Sequence, residues 1–458
     1  MDLDPDPGVV EVELVASAFQ VEYLEGKLAD VWVYRDGSLE GAAGGVPGPL
    51  LDVNQGDHVV VHFRNDLPEE TTIHWHGLRV PNAADGTPTT QLAVAPGETF
   101  TYEFDAPDAG TFWYHPHVAS DVQIERGLYG PIVVRGGVEP NVAVERILML
   151  DDIKLEATGQ LSTETDPLDI MLGRQGNVRL VNGHVDATAR ASAGSRERWR
   201  IVNAANGRYF NLTLLGRELL VIGWDGGLLT EPYATERLLV APGERYDLLV
   251  DIAGSAGDTL TLQTLHYDRG HNIPDPGPLD LFSLELTNEG DPPGPLPTEW
   301  GSVEPLAVDD STPILDLVLT EEEGADPSFF INGERFPDVT PTEATAGTTA
   351  IWSIRNDAEM DHPFHLHGMF FQVLDVAGVP PDQLGWKDTV NIPQQTTLRF
   401  AVRYGEPGRW MYHCHILEHA ERGMMGELAL STARVQADSG ASLVRPTVTF
   451  ARPSSIGR

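Results

Sequence analysis

Four short segments of the chain each carry two histidines separated by one residue. They are Thr72-Ile73-His74-Trp75-His76-Gly77, Phe112-Trp113-Tyr114-His115-Pro116-His117, His362-Pro363-Phe364-His365-Leu366-His367-Gly368 and Tyr412-His413-Cys414-His415-Ile416-Leu417-Glu418-His419, and together they hold ten of the 15 histidines. On an extended strand residues i and i+2 face the same side, so each pair presents two imidazoles to one place. One such pair is weak evidence, and a solvated strand face is the commoner reading. Four pairs, two early in the chain and two late, at equivalent places in a repeat, describe something else. Eight imidazoles can serve a cluster of metals, with three-histidine and two-histidine sites sharing the set.

The fourth segment adds softer donors. If His413, Cys414 and His415 lie on a strand, the imidazoles face one way and the thiol the other, so one tripeptide touches two metal sites. His419 follows Cys414 by five residues and Met424 by ten. With His362 from the preceding segment, the set is two His, one Cys and a weak Met, the ligand list of a blue-copper electron-transfer centre. A lone cysteine is most often a small buried hydrophobe, and Met424 and Met425 also read as core residues. Zinc accepts Cys and His too, but a thioether favours copper, and zinc has no redox use for a Cys joined through the backbone to two histidines.

The elements that position these residues are legible as a repeat. Gly56 to Asn65 (Gly-Asp-His-Val-Val-Val-His-Phe-Arg-Asn) returns in outline as Gly194 to Asn203 and as Gly347 to Asn356, with starts 138 and 153 residues apart. Each copy reads as a turn glycine feeding a half-buried strand. A second turn-and-strand follows: Pro96-Gly97-Glu98, Pro242-Gly243-Glu244 and, more loosely, Pro393-Gln394-Gln395. With 46 Gly and 34 Pro in 458 residues, many short strands and turns are expected, and the pattern predicts three consecutive antiparallel β-sandwiches in an all-β chain. The boundaries fall at residues 1-137, 138-290 and 313-458, with a linker rich in Pro, Gly and acid at 291-312 and a less patterned tail after Leu430. Where the first and third copies place His-X-His-Gly, the middle one has Thr213-Leu214-Leu215-Gly216. It therefore carries no ligands and reads as a spacer.

Composition narrows the partners. Acidic residues outnumber basic ones 69 to 30, a net charge of -39, which disfavours nucleic acid. Apolar runs such as Leu219 to Trp224 are strand-sized and far short of the roughly 18 to 20 residues that span a bilayer. The single cysteine excludes an intramolecular disulfide. Met1-Asp2-Leu3-Asp4-Pro5-Asp6 lacks the charged and apolar regions of a secretory signal, so none exists or it has been removed.

From about Leu51 to Leu430, the order and spacing of the four motifs resemble those of the multicopper oxidases, in particular three-domain laccase-like enzymes of bacteria. The resemblance implies cupredoxin-like Greek-key sandwiches and four coppers per chain. It implies that His362, Cys414, His419 and Met424 hold a type 1 copper, His74 and His365 a type 2 copper, and His76, His115, His117, His367, His413 and His415 a type 3 pair. Electrons from a small aromatic reductant would then pass from Cys414 to His413 and His415, and dioxygen would leave as water. Asp85, nine residues after His76, matches the acidic residue that relays protons in similar enzymes, although Asp85-Gly86 also reads simply as a turn.

Two departures stand out. Many bacterial relatives carry Glu directly after the second type 1 histidine, where this chain has Ala420 and then Glu421, and Met369 follows Gly368, where it reads as packing. His58, His62, His184, His266 and His271 read as surface or turn residues, with the loop from His266 to His271 a less favoured candidate border of a substrate site.

The expected activity is a laccase-type oxidation of phenols. Alternatives are a cuprous oxidase for copper tolerance, disfavoured by only eight Met without a cluster, and a copper-binding protein without turnover. A monomer in the periplasm or outside the cell is expected.

Overall fold

The structure, a computed structural model, describes residues 2–39, 44–162, 166–271 and 273–432. The tail beyond residue 432 therefore lies outside the described residues. Six sheets pair into three sandwiches along the chain.

The strand that opens each sequence repeat lies at the same place in each sandwich. His58–Asn65 runs parallel to Val9–Leu24 and antiparallel to Thr99–Asp105. Arg196–Asn203 runs parallel to Val144–Ile153 and antiparallel to Arg245–Asp251. Thr349–Asn356 has the same two relations to Ile314–Glu322 and Thr396–Arg403. In His58–Asn65 the buried side chains are Val59, Val61, Phe63 and Asn65, the period-two pattern of a strand with one face in the core.

The asparagine that ends each copy explains why the repeat is visible. Asn65 donates to the carbonyls of Glu69 and Val94, and its side-chain oxygen accepts from the N–H of Leu67. Asn203 makes the same three bonds with Arg208, Val240 and Ala205, and Asn356 with Met360, Ile392 and Ala358. One buried amide thus satisfies three backbone groups where the chain leaves the sheet, groups that would otherwise stay unpaired away from water. In the end sandwiches the segments so anchored lead directly to His74 and His362. In the looser third turn the left-handed residue is Gln395, at φ 54, whose side chain donates to the carbonyls of Asp357 and Ala358.

The second sheets of the end sandwiches carry the histidine motifs. In the first, the strand order is Leu51–Asn54, Gly130–Arg135, Gly110–His115, His74–His76. In the third it is Thr342–Thr345, Met425–Ser431, Gly408–Cys414, His362–Leu366, Thr389–Ile392. Each sandwich has its own apolar core, and a further buried cluster around Trp113, Tyr129, Met149 and Val202 joins the first to the second. Between Glu289 and Ile314 the chain forms no strand. It lies along the second sandwich, Gly301 donating to the Leu229 carbonyl, and then reaches the third, Leu306 donating to Gln372. No described helix is long and apolar enough to cross a membrane.

Candidate metal centre

Strand register brings the motifs together in pairs. His74 lies opposite His115 and His76 opposite Trp113, while His365 lies opposite His413 and Phe364 opposite Cys414. The histidine-bearing edges of the first and third sandwiches then face each other, and their imidazoles sort into groups. His76, His115 and His415 form one buried trio and His117, His367 and His413 another, each with its nitrogens within 4.8 Å of one another. His74 and His365 group with His76 in the same way.

The nitrogens at the centre of these groups are without ordinary partners. His74 donates from Nδ1 to the Asp85 carbonyl at 2.8 Å, and His365 Nδ1 lies 3.0 Å from the Asp388 carbonyl. Nε2 of both rings is buried without a hydrogen-bond partner, as are both ring nitrogens of His415. Elsewhere nitrogen faces nitrogen: His367 Nε2 to His413 Nε2 at 3.0 Å, and His117 Nε2 to His413 Nε2 at 3.4 Å. Burial, with neighbouring imidazoles adding to it, holds His76, His115, His367, His413 and His415 well below the usual histidine range and His117 down to about 3. Neutral rings with lone pairs aimed at a common point are what a buried cation requires and what an apolar core would not tolerate.

A second group lies on the other side of the same strand end. Cys414 Sγ is 3.5 Å from His362 Nδ1 and 3.8 Å from His419 Nδ1, and the two nitrogens are 3.2 Å apart. A single ion with bonds of about 2.0 to 2.3 Å spans such a triangle. Burial pushes the Cys414 thiol above its usual range, a tendency that a coordinated cation reverses by taking the thiolate. Met424 is fully buried in the same core, and its carbonyl accepts from the Cys414 N–H.

Comparison with known proteins gives the same family along the chain. Models described as multicopper oxidase match residues 30–138, 154–266 and 308–433. A multicopper oxidase of Mycobacterium tuberculosis is 32% identical over 84% of this chain and 81% of its own length. The chain belongs to the multicopper oxidases. A laccase of Bacillus subtilis is 27% identical over 84% of this oxidase and 89% of its own length. Among solved structures, a multicopper oxidase of Campylobacter jejuni, described as a metallo-oxidase, superposes with a TM-score of 0.84 at 28% identity, covering 94% of this chain and 93% of its own. Cupredoxin-like sandwiches and four coppers per chain come with the family, and the histidine and cysteine groups fit them.

The oxidase holds its histidines through residues that the motifs did not reveal. Asp388 Oδ1 lies 3.2 Å from His76 Nε2 and 3.5 Å from His365 Nδ1. Arg245, from the middle sandwich, grips Asp388 with two bonds of 2.6 Å. Burial works against the Asp388 charge, but this guanidinium more than offsets it and holds the carboxyl well below its usual range. Gly243 lies so close to His415 that a Cβ there would sit 2.8 Å from the ring, and its φ is +86°. The Met171 carbonyl, on the short helix Pro167–Leu172, accepts from His419 Nε2 at 3.2 Å. The middle sandwich thus contributes no imidazole or thiol to these groups, yet it does more than space the other two.

Asp85 is buried between two of the rings. Its carboxylate lies 3.2 Å from His367 Nδ1 and 3.4 Å from His74 Nδ1. The turn it shares with Gly86 presses onto the His74 strand: a Cβ on Gly86, at φ +78°, would overlap the Ile73 carbonyl. Thr87 donates to Asp85 Oδ2 at 3.1 Å and contacts Thr89 and Thr90 at 3.0 and 3.3 Å, a chain of hydroxyls leading to half-buried positions.

Ala420 packs against Met411 and Met425, and Glu421 accepts from the N–H and hydroxyl of Ser120. Met369 is buried in the third core. His58 and His62 pair with surface acids and His184 is exposed, whereas His271 bonds Glu321, and His266 and Arg269 line a cavity.

Proposed function

We propose that this multicopper oxidase couples one-electron oxidation of phenolic or other small aromatic reductants to four-electron reduction of dioxygen to water. The observation that carries the reading is the join at Cys414. One tripeptide contributes a thiol to the His362–His419 group and an imidazole to each of the two trios. On this reading His362, Cys414, His419 and Met424 would hold the type 1 copper, and His74 and His365 the type 2. The type 3 pair would take His76, His115 and His415 on one side and His117, His367 and His413 on the other. When bound, the coppers supply one-electron redox chemistry and the place where dioxygen is reduced.

The protein's own groups do the rest. Cys414 is bonded through the backbone to His413 and His415, so an electron accepted at the thiolate has a covalent path to both trios. Four phenols each give up one electron and one proton, and one dioxygen takes four of each to become two waters. Asp85 holds a carboxylate beside His74 and His367, and the Thr87, Thr89 and Thr90 hydroxyls offer a route by which protons reach it. Both halves of the histidine cluster come from one chain, so a monomer suffices. The acidic surface and the family suit a periplasmic or extracellular setting.

A second reading, oxidation of cuprous ion, is favoured by a single feature. Glu321 stands 3.8 Å from His362 and 3.0 Å from His271, with Oε2 buried and unpartnered. Oxygen uptake by copper-loaded protein, with a methoxyphenol or cuprous ion as donor, separates the readings. Faster uptake with the phenol is expected, and faster uptake with cuprous ion overturns it. Four bound coppers without uptake from either donor would return the chain to a copper-binding role.

A further inference from the structure

Behind the residues around His419 lies a cavity of about 340 Å³ between the middle sandwich and the segments 266–269 and 273–277, a volume in the range that holds small aromatic ligands. Its lining includes Arg179, Arg208, Arg269, Tyr209, Tyr267 and His266, and no Asp or Glu. On a chain with 69 acidic and 30 basic residues, three arginines and no carboxylate in the lining itself is a reversal of the general balance, with the nearest carboxylates, Asp152 behind Arg208 and Asp361 at the Tyr267 hydroxyl, already engaged.

The charges there are only partly neutralised. Arg208 is paired with Asp152. Arg179 and Arg269 form no ion pair among the described residues, and Arg179 Nε and Arg269 Nε and Nη1 are buried without hydrogen-bond partners. Arg269 is 1% exposed, and its one side-chain bond is to the Leu172 carbonyl. Burial pushes its guanidinium down to about 10, with Arg208 acting in the same direction. A buried cation lacking its hydrogen bonds is costly unless something supplies an anion. Asp275, on the rim between Pro274 and Pro276, is engaged with the Gly277 N–H.

The cavity also offers aromatic surface close to Cys414. Tyr209 and Tyr267 stack with centroids 5.6 Å apart, and the Arg269 guanidinium lies over Tyr209. Tyr209 belongs to the same buried cluster as Met171, Ile416 and Cys414. The Met171–Leu172 peptide connects the two sides, since its carbonyls accept from His419 and from Arg269.

We infer that this cavity binds reductants combining an aromatic ring with an anionic group, a carboxylate or sulfonate, the anion on Arg179 and Arg269 and the ring against the stacked tyrosines. The inference rests on the oxidase reading above and adds the substrate class. Each bound phenolic acid loses one electron and one proton from its phenol hydroxyl, four such losses reducing one dioxygen to two waters, and its carboxylate is unchanged.

Two measurements on the copper-loaded protein test it. Calorimetry with 3,4-dimethoxybenzoate, which has no oxidisable hydroxyl, against neutral 3,4-dimethoxybenzamide should show the acid binding at least about tenfold more tightly, the scale of a charge-assisted hydrogen bond. Arg179→Gln should erase that difference, and Arg269→Lys, which keeps the charge but loses the fork, should reduce it. In oxygen uptake, the ratio of kcat/KM for 4-hydroxy-3-methoxybenzoate to that for its methyl ester should fall by a similar factor in Arg179→Gln, a comparison that cancels the two phenols' different reactivity. Equal binding of acid and amide, or ratios untouched by either variant, overturns the inference. If neither phenol supports uptake, the oxidase reading fails, while the calorimetry still decides what the cavity binds.

Discussion

At the scale of single residues, the positions of the metal-facing nitrogens depend on a small set of buried polar partners. Asp388 is the most connected of these, touching His76 and His365 while paired to Arg245. Asp388→Asn removes the nearer carboxylate from the Arg245 guanidinium, leaving Asp225 at 3.5 Å, and should lower stability by about 3 kcal/mol and copper affinity by about 10- to 100-fold, read by denaturant unfolding and by copper bound per chain. Thr87→Val interrupts the hydroxyls that lead to Asp85. It should slow oxygen uptake at least about tenfold with copper content unchanged and a larger solvent isotope effect, and an unaltered rate in both solvents would remove Thr87 from the proton route. The grouping of the histidines and Cys414 was legible from sequence, because His-X-His on a strand announces a shared face and Cys414 sits between two of the histidines. Asp388, Arg245, Gly243 and Met171 were not. Asp388, Gly243 and Met171 act on histidines 23 to 312 residues away in the chain, and Arg245 acts through Asp388, by contacts no local spacing records.

At the scale of elements, the repeat was readable because one physical job recurs three times. The strand ending in Asn65, Asn203 or Asn356 needs a turn glycine at its start and a corner amide at its end. What the sequence left open was how the sandwiches meet, since a pattern of buried and exposed residues does not distinguish an interior from an interface between sandwiches. The middle copy is the example: without ligands it reads as a spacer, yet its Pro-Gly-Glu turn packs on His415 and supplies Arg245. Asn203→Ala tests the corner away from any donor. It strands two carbonyls and one N–H, and a loss of about 3 kcal/mol is expected, measured as the change in unfolding free energy against denaturant. A change below 1 kcal/mol would mean that the turn does not rely on the amide.

For the molecule as a whole, copper and protons are both linked to folding. The histidine groups span the first and third sandwiches, so bound ions tie the chain's two ends together. Removing copper with a chelator should lower Tm, and restoring it should raise Tm with rising free copper, as for any ligand of the native state alone. Asp151 gives a pH dependence independent of the metals. It is buried beneath Tyr129, whose hydroxyl donates to it at 2.7 Å, and burial raises its pKa well above the usual range. Above about pH 4 the unfolded chain has released a proton that folded Asp151 keeps, so this group's contribution to stability falls as pH rises. Asp151→Asn should flatten that part of the curve of Tm against pH, and an unchanged slope would assign it to other carboxyls. The division of each trio between distant segments also sets a timetable. Domains emerging from the ribosome fold from the N-terminus onward. His74, His76, His115 and His117 are therefore shaped hundreds of residues before His413, Cys414 and His415 exist. No trio is complete until the third sandwich has been made, so copper acquisition follows its synthesis, and a chain terminated before His413 would display half a cluster with nothing to close it.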